Sequence, residues 1–213
     1  MKIMPVKRAL ALALLLAPGL ALAQASQNPP GNGGTGLLPL TPRQVEGPYY
    51  PTEKPADIDS DLTRVGSGSL AKGTVVVLSG RVLNQRSRTV AAAKVELWQA
   101  DGNGIYMHPN DSRTNQRDRS FQFFGQATTD DMGNFQFRTI MPGYYGDRPR
   151  HFHMKIIQRD GKSLTTQLYF KGDARLAQDF LTRRLGERLS ALLLETSPRA
   201  NNELSAETTL VVE

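Results

Sequence analysis

The amino-acid sequence predicts a mostly β protein, a two-sheet β-sandwich with one short helix near the C-terminus. Three observations support this fold class. Short runs of apolar and β-branched residues follow one another at regular spacing from Thr74 onward, and turn signals rich in Gly and Asp separate them. Apolar residues recur at helical spacing in one late stretch, residues 173–185. The 213 residues are enough to bury a core.

The strands are predicted in order from their composition and alternation. Residues 75–83 form a β-branched run, and Val95 and Leu97 alternate with polar residues in the second strand, residues 94–100. The turn signal Asp101–Gly104 ends that strand. Later strands are predicted at residues 123–128, 135–140, 151–158, 164–170 and 208–212, with a hairpin turn at 129–134.

One helix is predicted over Asp173–Leu185. Leu176, Phe180 and Leu181 repeat there at the spacing of a helix. The sequence thus places a single short helix between the last two predicted strands.

The N-terminus has the pattern of a secretory signal. In residues 1–23, three positive charges precede an apolar run too short to span a bilayer, and a small-x-small cleavage site follows at residues 21–23. Residues 24–40 are rich in Gln, Asn, Gly and Pro and are predicted to form a flexible arm, which leaves residues 41–213 as the sandwich domain. We expect an exported protein, periplasmic or extracellular, without stable membrane association after signal cleavage.

The net charge of the whole chain at first suggests a nucleic-acid partner. Its 26 Lys and Arg against 20 Asp and Glu give +6. Removal of residues 1–23 takes away three positive and no acidic residues, which lowers the net charge to +3. Because no cluster of Lys and Arg with interleaved aromatic residues remains, we expect no nucleic-acid binding.

The absence of cysteine excludes disulfides, thiolate zinc sites, iron–sulfur clusters and a cysteine nucleophile. Two of the three histidines, His151 and His153, are one residue apart in a predicted strand. Alternate residues of a strand share a face, so both imidazoles point the same way, as two ligands of one metal would. A surface pair of histidines explains this tripeptide equally well.

Nearby tyrosines extend the candidate ligand set. Tyr144 and Tyr145 follow a Pro-Gly turn just upstream of the His pair, and Tyr106 follows the turn after the second strand. Phenol has a free pKa of about 10, so only a strongly Lewis-acidic ion holds it deprotonated at neutral pH. Two His with two Tyr therefore favour Fe(III) over zinc, and they differ from the two-His-one-carboxylate triad of Fe(II) oxygenases.

Seven short stretches carry a family resemblance, and they occur in one order along most of the predicted domain. They are Glu46–Pro51, Val95–Asp101, Gly104–Tyr106, Gly125–Asp130, Phe137–Gly143, Arg148–His153 and Thr165–Phe170. With them the sequence resembles the intradiol ring-cleavage dioxygenases, within these the protocatechuate 3,4-dioxygenase-like branch. The resemblance implies the β-sandwich of that family and a non-haem Fe(III) cofactor.

The resemblance also implies which side chains hold the iron. Tyr106 and His151 correspond to the equatorial ligands, and Tyr145 and His153 correspond to the axial pair. Tyr145 is preferred over Tyr144 because the family ligand lies two residues after the Gly of its Pro-Gly-x-Tyr pattern.

Two further residues correspond to the catalytic pocket of the family. Arg148, three residues before the first His, matches the active-site arginine, and Gln167 matches a pocket glutamine; Tyr145 is also expected to act as a base. His108 follows Tyr106 by two residues, and two interpretations stay open: a residue at the pocket mouth and, preferred, a solvated loop histidine. Only two residues separate Tyr145 from Arg148, where the family usually has a longer loop, so we expect a more open site, as in secreted members.

The implied activity is that of an oxidoreductase. It would use O2 to cleave a catecholic ring, of the protocatechuate or catechol type, to a cis,cis-muconate-type diacid that contains both oxygen atoms. The expected partners are thus a small catechol and O2. Because the chain carries all four expected ligands, either a homo-oligomer or a single chain would suffice.

Two other interpretations stay open on the sequence. Residues 80–97 and 129–137 also resemble secreted transthyretin-like or carboxypeptidase-regulatory sandwiches, which bind without catalysis. A periplasmic copper or zinc binder would use the His pair and His108. The enzyme is preferred because the non-catalytic sandwich does not need the His pair, Arg148 and Tyr106 together.

Overall fold

Two β-sheets enclose one hydrophobic core in the computed structural model, which describes residues 36–213. The expectations for the signal segment, residues 1–23, and for most of the flexible arm lie outside the described residues. Within them, nine strands are numbered in chain order: β1 (Val75–Asn84), β2 (Lys94–Trp98), β3 (Phe124–Thr128), β4 (Asn134–Ile140), β5 (His151–Ile157), β6 (Ser163–Phe170), β7 (Leu193–Leu194), β8 (Thr196–Pro198) and β9 (Leu204–Val212).

The strands form a four-stranded sheet in the order β4-β1-β9-β8 and a five-stranded sheet in the order β3-β2-β5-β6-β7. Most neighbours are antiparallel, but β1 pairs parallel with β9 and β6 pairs parallel with β7. The predicted mostly β, two-sheet sandwich is confirmed. Strand β5, which carries the His pair, lies in the middle of the five-stranded sheet, between β2 and β6.

The core explains the alternation seen in the sequence. On β5, Phe152, Met154 and Ile156 join the main hydrophobic cluster, whereas the two histidines face the opposite side. On β4, Phe135 and Phe137 enter the same cluster. Burial of each such side chain contributes about 1.5–3 kcal/mol, so the core fixes the register of β5 and thereby the face on which the histidines lie.

A buried polar link joins the two sheets at the end of β2. Gln99, directly after β2, accepts a hydrogen bond from the Thr139 hydroxyl of β4 over 2.8 Å, and its amide donates to the carbonyl oxygens of Ala100 and Ile140. The N–H of Gln99 still donates to the carbonyl oxygen of Phe123 over 3.2 Å, but the regular strand ends at Trp98, two residues before the predicted end at Ala100.

The continuous helix predicted over Asp173–Leu185 is wrong. The structure has a 3-10 helix at Ala174–Ala177 and a short α-helix, α1, at Phe180–Leu185. Asp179 lies between them in an extended conformation, and its carboxylate accepts the N–H of Thr182 and so starts α1 anew.

The apolar pattern behind that helix prediction also fails in part. Phe180 is 67% exposed, whereas Thr182 and Leu185 are the residues of α1 that are buried. The C-terminal strand is longer than predicted, because β9 begins at Leu204 and pairs along β1 from Val76 onward. The two short strands β7 and β8 have no sequence signal of their own, since their pairing depends on longer neighbours.

Among residues 36–213, no helix is both long enough and apolar enough to cross a bilayer.

We predict that Met154→Ala lowers the free energy of unfolding by about 2–5 kcal/mol, because it leaves a cavity in a fully buried part of the core. Met132→Ala, at a residue that is 57% exposed, is the matched control and should change it by less than about 0.5 kcal/mol. Urea denaturation of both variants measures the difference. Equal losses would show that β5 is not held by the core as described.

Candidate metal centre

The two histidines of β5 converge on one point. His151 and His153 are 4% and 3% exposed, and their Nε2 atoms are 3.2 Å apart. Two adjacent ligands bound about 2.1 Å from one ion would be about 3 Å apart, so this spacing suits a shared metal. The surface-pair interpretation of the tripeptide therefore fails, because neither ring reaches the surface.

The protonation states of both rings suit metal binding. His151 Nδ1 lies 2.7 Å from the carbonyl oxygen of Pro149, which can only accept, so Nδ1 carries the proton and Nε2 has a free lone pair. Burial, aided by the charge of Arg148, lowers the pKa of His151 to about 4. Burial and the neighbouring His151 lower the pKa of His153 well below its ordinary value, so both rings are neutral at pH 7.

His153 has an incomplete set of hydrogen bonds. Its Nδ1 is buried without a partner among residues 36–213, and its ring stacks on Trp98 with centroids 4.8 Å apart and planes 10° apart. If Nδ1 carries the proton, two lone pairs meet across 3.2 Å at the Nε2 atoms, an arrangement that a bound cation would stabilise. The two Nε2 atoms would thus suit a metal ion that both of them bind.

Tyr106 is held by the loop that follows β2. Asp101 is fully buried, and its carboxylate accepts the N–H groups of Asn103, Ile105 and Asp118. The Asp111 carboxylate accepts the N–H of Tyr106 itself over 2.9 Å. Tyr106 is 3% exposed, and its ring lies 6.2 Å from that of His153, measured between centroids.

The two neighbouring tyrosines point in different directions. The Tyr145 ring lies 5.5 Å from Tyr106 at 89° and 6.5 Å from His151, between ring centroids. The Tyr144 ring is 37% exposed and is sandwiched by the guanidinium groups of Arg150 and Arg175, at 4.3 and 3.8 Å. Only Tyr145 therefore joins the His pair and Tyr106.

The electrostatics of Tyr106 also suit a metal. Burial is the main cause that raises the pKa of the Tyr106 phenol above its ordinary value, so the metal-free side chain is neutral at pH 7. A phenolate at this position needs a strongly Lewis-acidic cation beside it. Within residues 36–213 no group of three or more His, Asp or Glu is suited to hold a metal.

Arg148 and Gln167 lie together next to this cluster. Arg148 Nε donates to Asp179 Oδ2 over 2.6 Å, and its Nη2 donates to Gln167 Oε1 over 2.8 Å. The Gln167 amide is fixed from its other side, because its Nε2 donates to the carbonyl oxygen of Val45. A buried carboxylate, 4% exposed, thus orients a guanidinium that is itself 21% exposed.

Sequence reasoning missed three side chains of the site and misjudged a fourth. Tyr49 stacks on Tyr106 with centroids 4.4 Å apart and meets Tyr145 edge-on, Trp98 stacks on His153, and Asp179 pairs with Arg148. Tyr49 and Trp98 lie in stretches that carried the family resemblance, which was the available signal. The expectation of a solvated His108 is wrong, because its ring is 6% exposed and packs edge-on against Tyr49.

The loops that carry the two tyrosines cross at two glycines. The N–H groups of Gly104 and Gly143 both donate to the carbonyl oxygen of Asp101, over 3.0 and 2.8 Å. A Cβ on Gly104 would lie 1.8 Å from the carbonyl oxygen of Tyr144, and Gly104 has a φ of +73°. The close approach of these backbones brings Tyr106 and Tyr145 together.

Comparison with known proteins adds an independent finding. A family model described as Dioxygenase matches residues 45–148, a range that includes Tyr106, Tyr145 and Arg148 and ends before the His pair. The chain is 36% identical over 155 residues to the protocatechuate 3,4-dioxygenase beta chain of Burkholderia cepacia, covering 67% of this chain and 66% of that one.

Two other similarities cover more of the related protein. The chain is 30% identical over 152 residues to the protocatechuate 3,4-dioxygenase alpha chain of Pseudomonas putida, covering 65% of this chain and 73% of that one. The dioxygenase domain of a dioxygenase carbohydrate-binding protein fusion from Streptomyces sp. SirexAA-E superposes with a TM-score of 0.65 at 31% identity, covering 82% and 99%. The chain spans about half the length of the catechol 1,2-dioxygenases that it also matches.

We predict that Gly104→Ala lowers the free energy of unfolding by at least about 3 kcal/mol, because backbone strain and a clash with the Tyr144 carbonyl add together. Gly161→Ala is the matched control: its φ is +86° but no atom lies within 4 Å of the added Cβ, so about 1–2 kcal/mol is expected. Urea denaturation compares them. A loss no larger for Gly104→Ala would contradict the tight crossing of the two loops.

Proposed function

The chain belongs to the intradiol dioxygenase family, and we propose that it is a non-haem Fe(III) enzyme that cleaves a catecholic ring with O2 to a cis,cis-muconate-type diacid. One observation carries the proposal. The two convergent Nε2 atoms of β5 lie among the rings of Tyr106 and Tyr145, with the guanidinium of Arg148 adjacent. We therefore propose as iron ligands Tyr106, Tyr145, His151 and His153.

Iron in the ferric state is supported by the chemistry of these donors. Two neutral imidazoles and two phenols contain no charge until the phenols ionise, and a trivalent ion is the partner that would favour ionisation most. A bound ferric ion would supply a Lewis acid that holds a catechol as its dianion and makes the ring reactive toward O2.

Exposure separates the four proposed ligands into a fixed set and a movable one. Tyr106 and the two histidines are buried and are held by β5 or by the Asp101 loop, whereas Tyr145 is partly exposed on a short turn. Tyr145 is thus the ligand that can leave with the least disturbance of the core. Its phenolate oxygen would then accept a proton from a catechol hydroxyl as the substrate enters.

Arg148 would supply fixed positive charge to the anionic ring of the substrate. A preorganised cation in a partly dry site stabilises charge that develops in a transition state more than water does. Asp179 and Gln167 hold the guanidinium from two sides, so little reorganisation is needed during the reaction. We propose that Gln167, which is fully buried, contributes by fixing Arg148.

The substrate class is proposed as small catechols. Named relatives are protocatechuate and catechol dioxygenases, and both names denote enzymes of catecholic rings. The turn between Tyr145 and Arg148 contains only Gly146 and Asp147, so it covers little of this side of the site.

We propose that the protein is exported to the periplasm or beyond, and that it is active as a single chain or as a homo-oligomer.

Iron loading tests the proposal directly. The loaded protein should absorb in the visible range through tyrosinate-to-Fe(III) charge transfer and should take up O2 with catechol or protocatechuate.

Tyr106→Phe should abolish iron retention, measured as iron per chain after gel filtration, because it removes a buried anionic donor. Tyr144→Phe is the matched control and should retain iron and colour, because that ring faces two arginines instead of the metal donors.

Two results would contradict the proposed function or the proposed iron ligands. A loaded protein that is colourless and takes up no O2 on any catechol would favour a non-catalytic sandwich or a zinc or copper binder. Full iron occupancy in Tyr106→Phe, or loss of iron in Tyr144→Phe, would mean that the ligands are assigned wrongly.

We predict that Arg148→Met keeps iron and colour but lowers kcat about 10²- to 10³-fold, as removal of one preorganised charge-stabilising group does in other sites. Arg159→Met, an exposed arginine in the turn after β5, is the control and should leave kcat unchanged. O2 uptake at saturating catechol, together with iron per chain, measures both. A normal kcat in Arg148→Met would exclude the electrostatic role.

A further inference from the structure

A short segment after β6 contacts the turn that carries both Tyr145 and Arg148. We call residues Asp173–Asp179 the clamp segment and residues Tyr145–Arg148 the ligand turn. The ligand turn is closed by one backbone hydrogen bond, from the N–H of Arg148 to the carbonyl oxygen of Tyr145 over 3.1 Å. One bond of this kind contributes only about 1 kcal/mol, so the turn needs further support.

Arg175 of the clamp segment provides that support from outside. Its Nη1 donates to the carbonyl oxygens of Gly146 and Arg148, over 2.9 and 3.4 Å. Its guanidinium also lies 3.8 Å from the centroid of the Tyr144 ring. Within residues 36–213, no other protein donor reaches either carbonyl oxygen. Arg175 thus contacts the ligand turn at two points and the residue before it at a third.

The rest of the clamp segment holds Arg175 and the flanks of the ligand turn in place. The Asp173 carboxylate accepts the N–H of Arg175 through Oδ1 and the N–H of Arg150 through Oδ2, over 2.9 and 3.0 Å. Asp179 forms the ion pair with Arg148 at the other end. One continuous segment therefore fixes the turn on both sides of the proposed labile ligand.

We propose that Arg175 is a positioning residue for the reaction: it holds the ligand turn so that the Tyr145 phenol and the Arg148 guanidinium keep their places beside the His pair. The proposal rests on the function proposed above. It also explains how a two-residue connection, Gly146-Asp147, stays ordered without a longer loop, since an arginine side chain supplies the contacts that additional backbone would make.

Hydrogen exchange of the metal-free protein tests, independently of catalysis, whether Arg175 holds the ligand turn in place. The amides of Arg148 and Arg150 are both hydrogen-bonded, to Tyr145 and to Asp173 respectively, so their exchange rates report opening of this region. Arg175→Met should speed exchange at both amides about tenfold, because it removes two hydrogen bonds and a stacked cation. The amide of Met154 in the β5 ladder should exchange as in the wild type.

Iron-loaded protein tests the consequence for the reaction. Arg175→Met should keep its iron, shift its tyrosinate charge-transfer band and lose about tenfold in kcat, with a smaller change in KM, because a misplaced Arg148 acts mainly on the transition state. Arg175→Lys should recover part of the kcat, since lysine can still donate to the two carbonyl oxygens but cannot stack flat on Tyr144.

Arg183→Met is the matched control. Arg183 is exposed on α1, and its guanidinium makes no hydrogen bond or ion pair within residues 36–213, so this variant should match the wild type in every measurement. Wild-type exchange at Arg148 and Arg150 in Arg175→Met would overturn the proposal, as would equal acceleration at Met154 or in Arg183→Met. If wild-type protein takes up no O2, the proposed function fails, while the exchange result still decides whether Arg175 holds the turn.

Discussion

The buried Asp101 is the constraint on which the site depends. It lies where the chain leaves β2, and it binds five backbone N–H groups through its carboxylate and its carbonyl, those of Asn103, Ile105, Asp118, Gly104 and Gly143. Hydrogen bonds from backbone N–H groups to a carboxylate are among the stronger ones in proteins. One residue thus joins the Tyr106 loop to the Pro-Gly turn before Tyr145, although about 40 residues separate them.

The structure divides the donors between a rigid element and anchored loops. Both histidines lie on β5, where ladder bonds to β2 and β6 and the packing of Phe152 and Met154 fix their direction. The tyrosines lie on loops, of which one is buried around Asp101 and the other is short and partly exposed. Under the proposed function one ligand leaves while the metal stays bound, and unequal rigidity of the donors would allow that exchange.

Much of the fold and the candidate site could be predicted from the sequence. The strand alternation placed most of the ladder within two residues, and the His-x-His spacing placed both imidazoles on one face. The long helix failed because a capping aspartate, Asp179, ends one helical segment and starts the next, which apolar spacing does not reveal. The burial of His108 depends on packing against Tyr49, which lies far away in the sequence, and local pattern does not reveal it. The family resemblance favoured Tyr145 over Tyr144, whereas the residue pattern alone left both open, because the contacts of Tyr144 with Arg150 and Arg175 form only in the fold.

Charge balance gives a reason for the mixed donor set. Burial is the main cause that lowers the pKa of both histidines, and the positive charge of Arg148 adds to it, so the guanidinium proposed to face an anionic substrate also favours neutral imidazoles. A metal cation added beside this arginine would be repelled if all its ligands were neutral. Two phenolates would offset that repulsion, while Asp179 already offsets the charge of the guanidinium itself. The proposed ligand set would therefore include two anionic members, and in a chain without cysteine we propose the buried Tyr106 and the adjacent Tyr145 for that role.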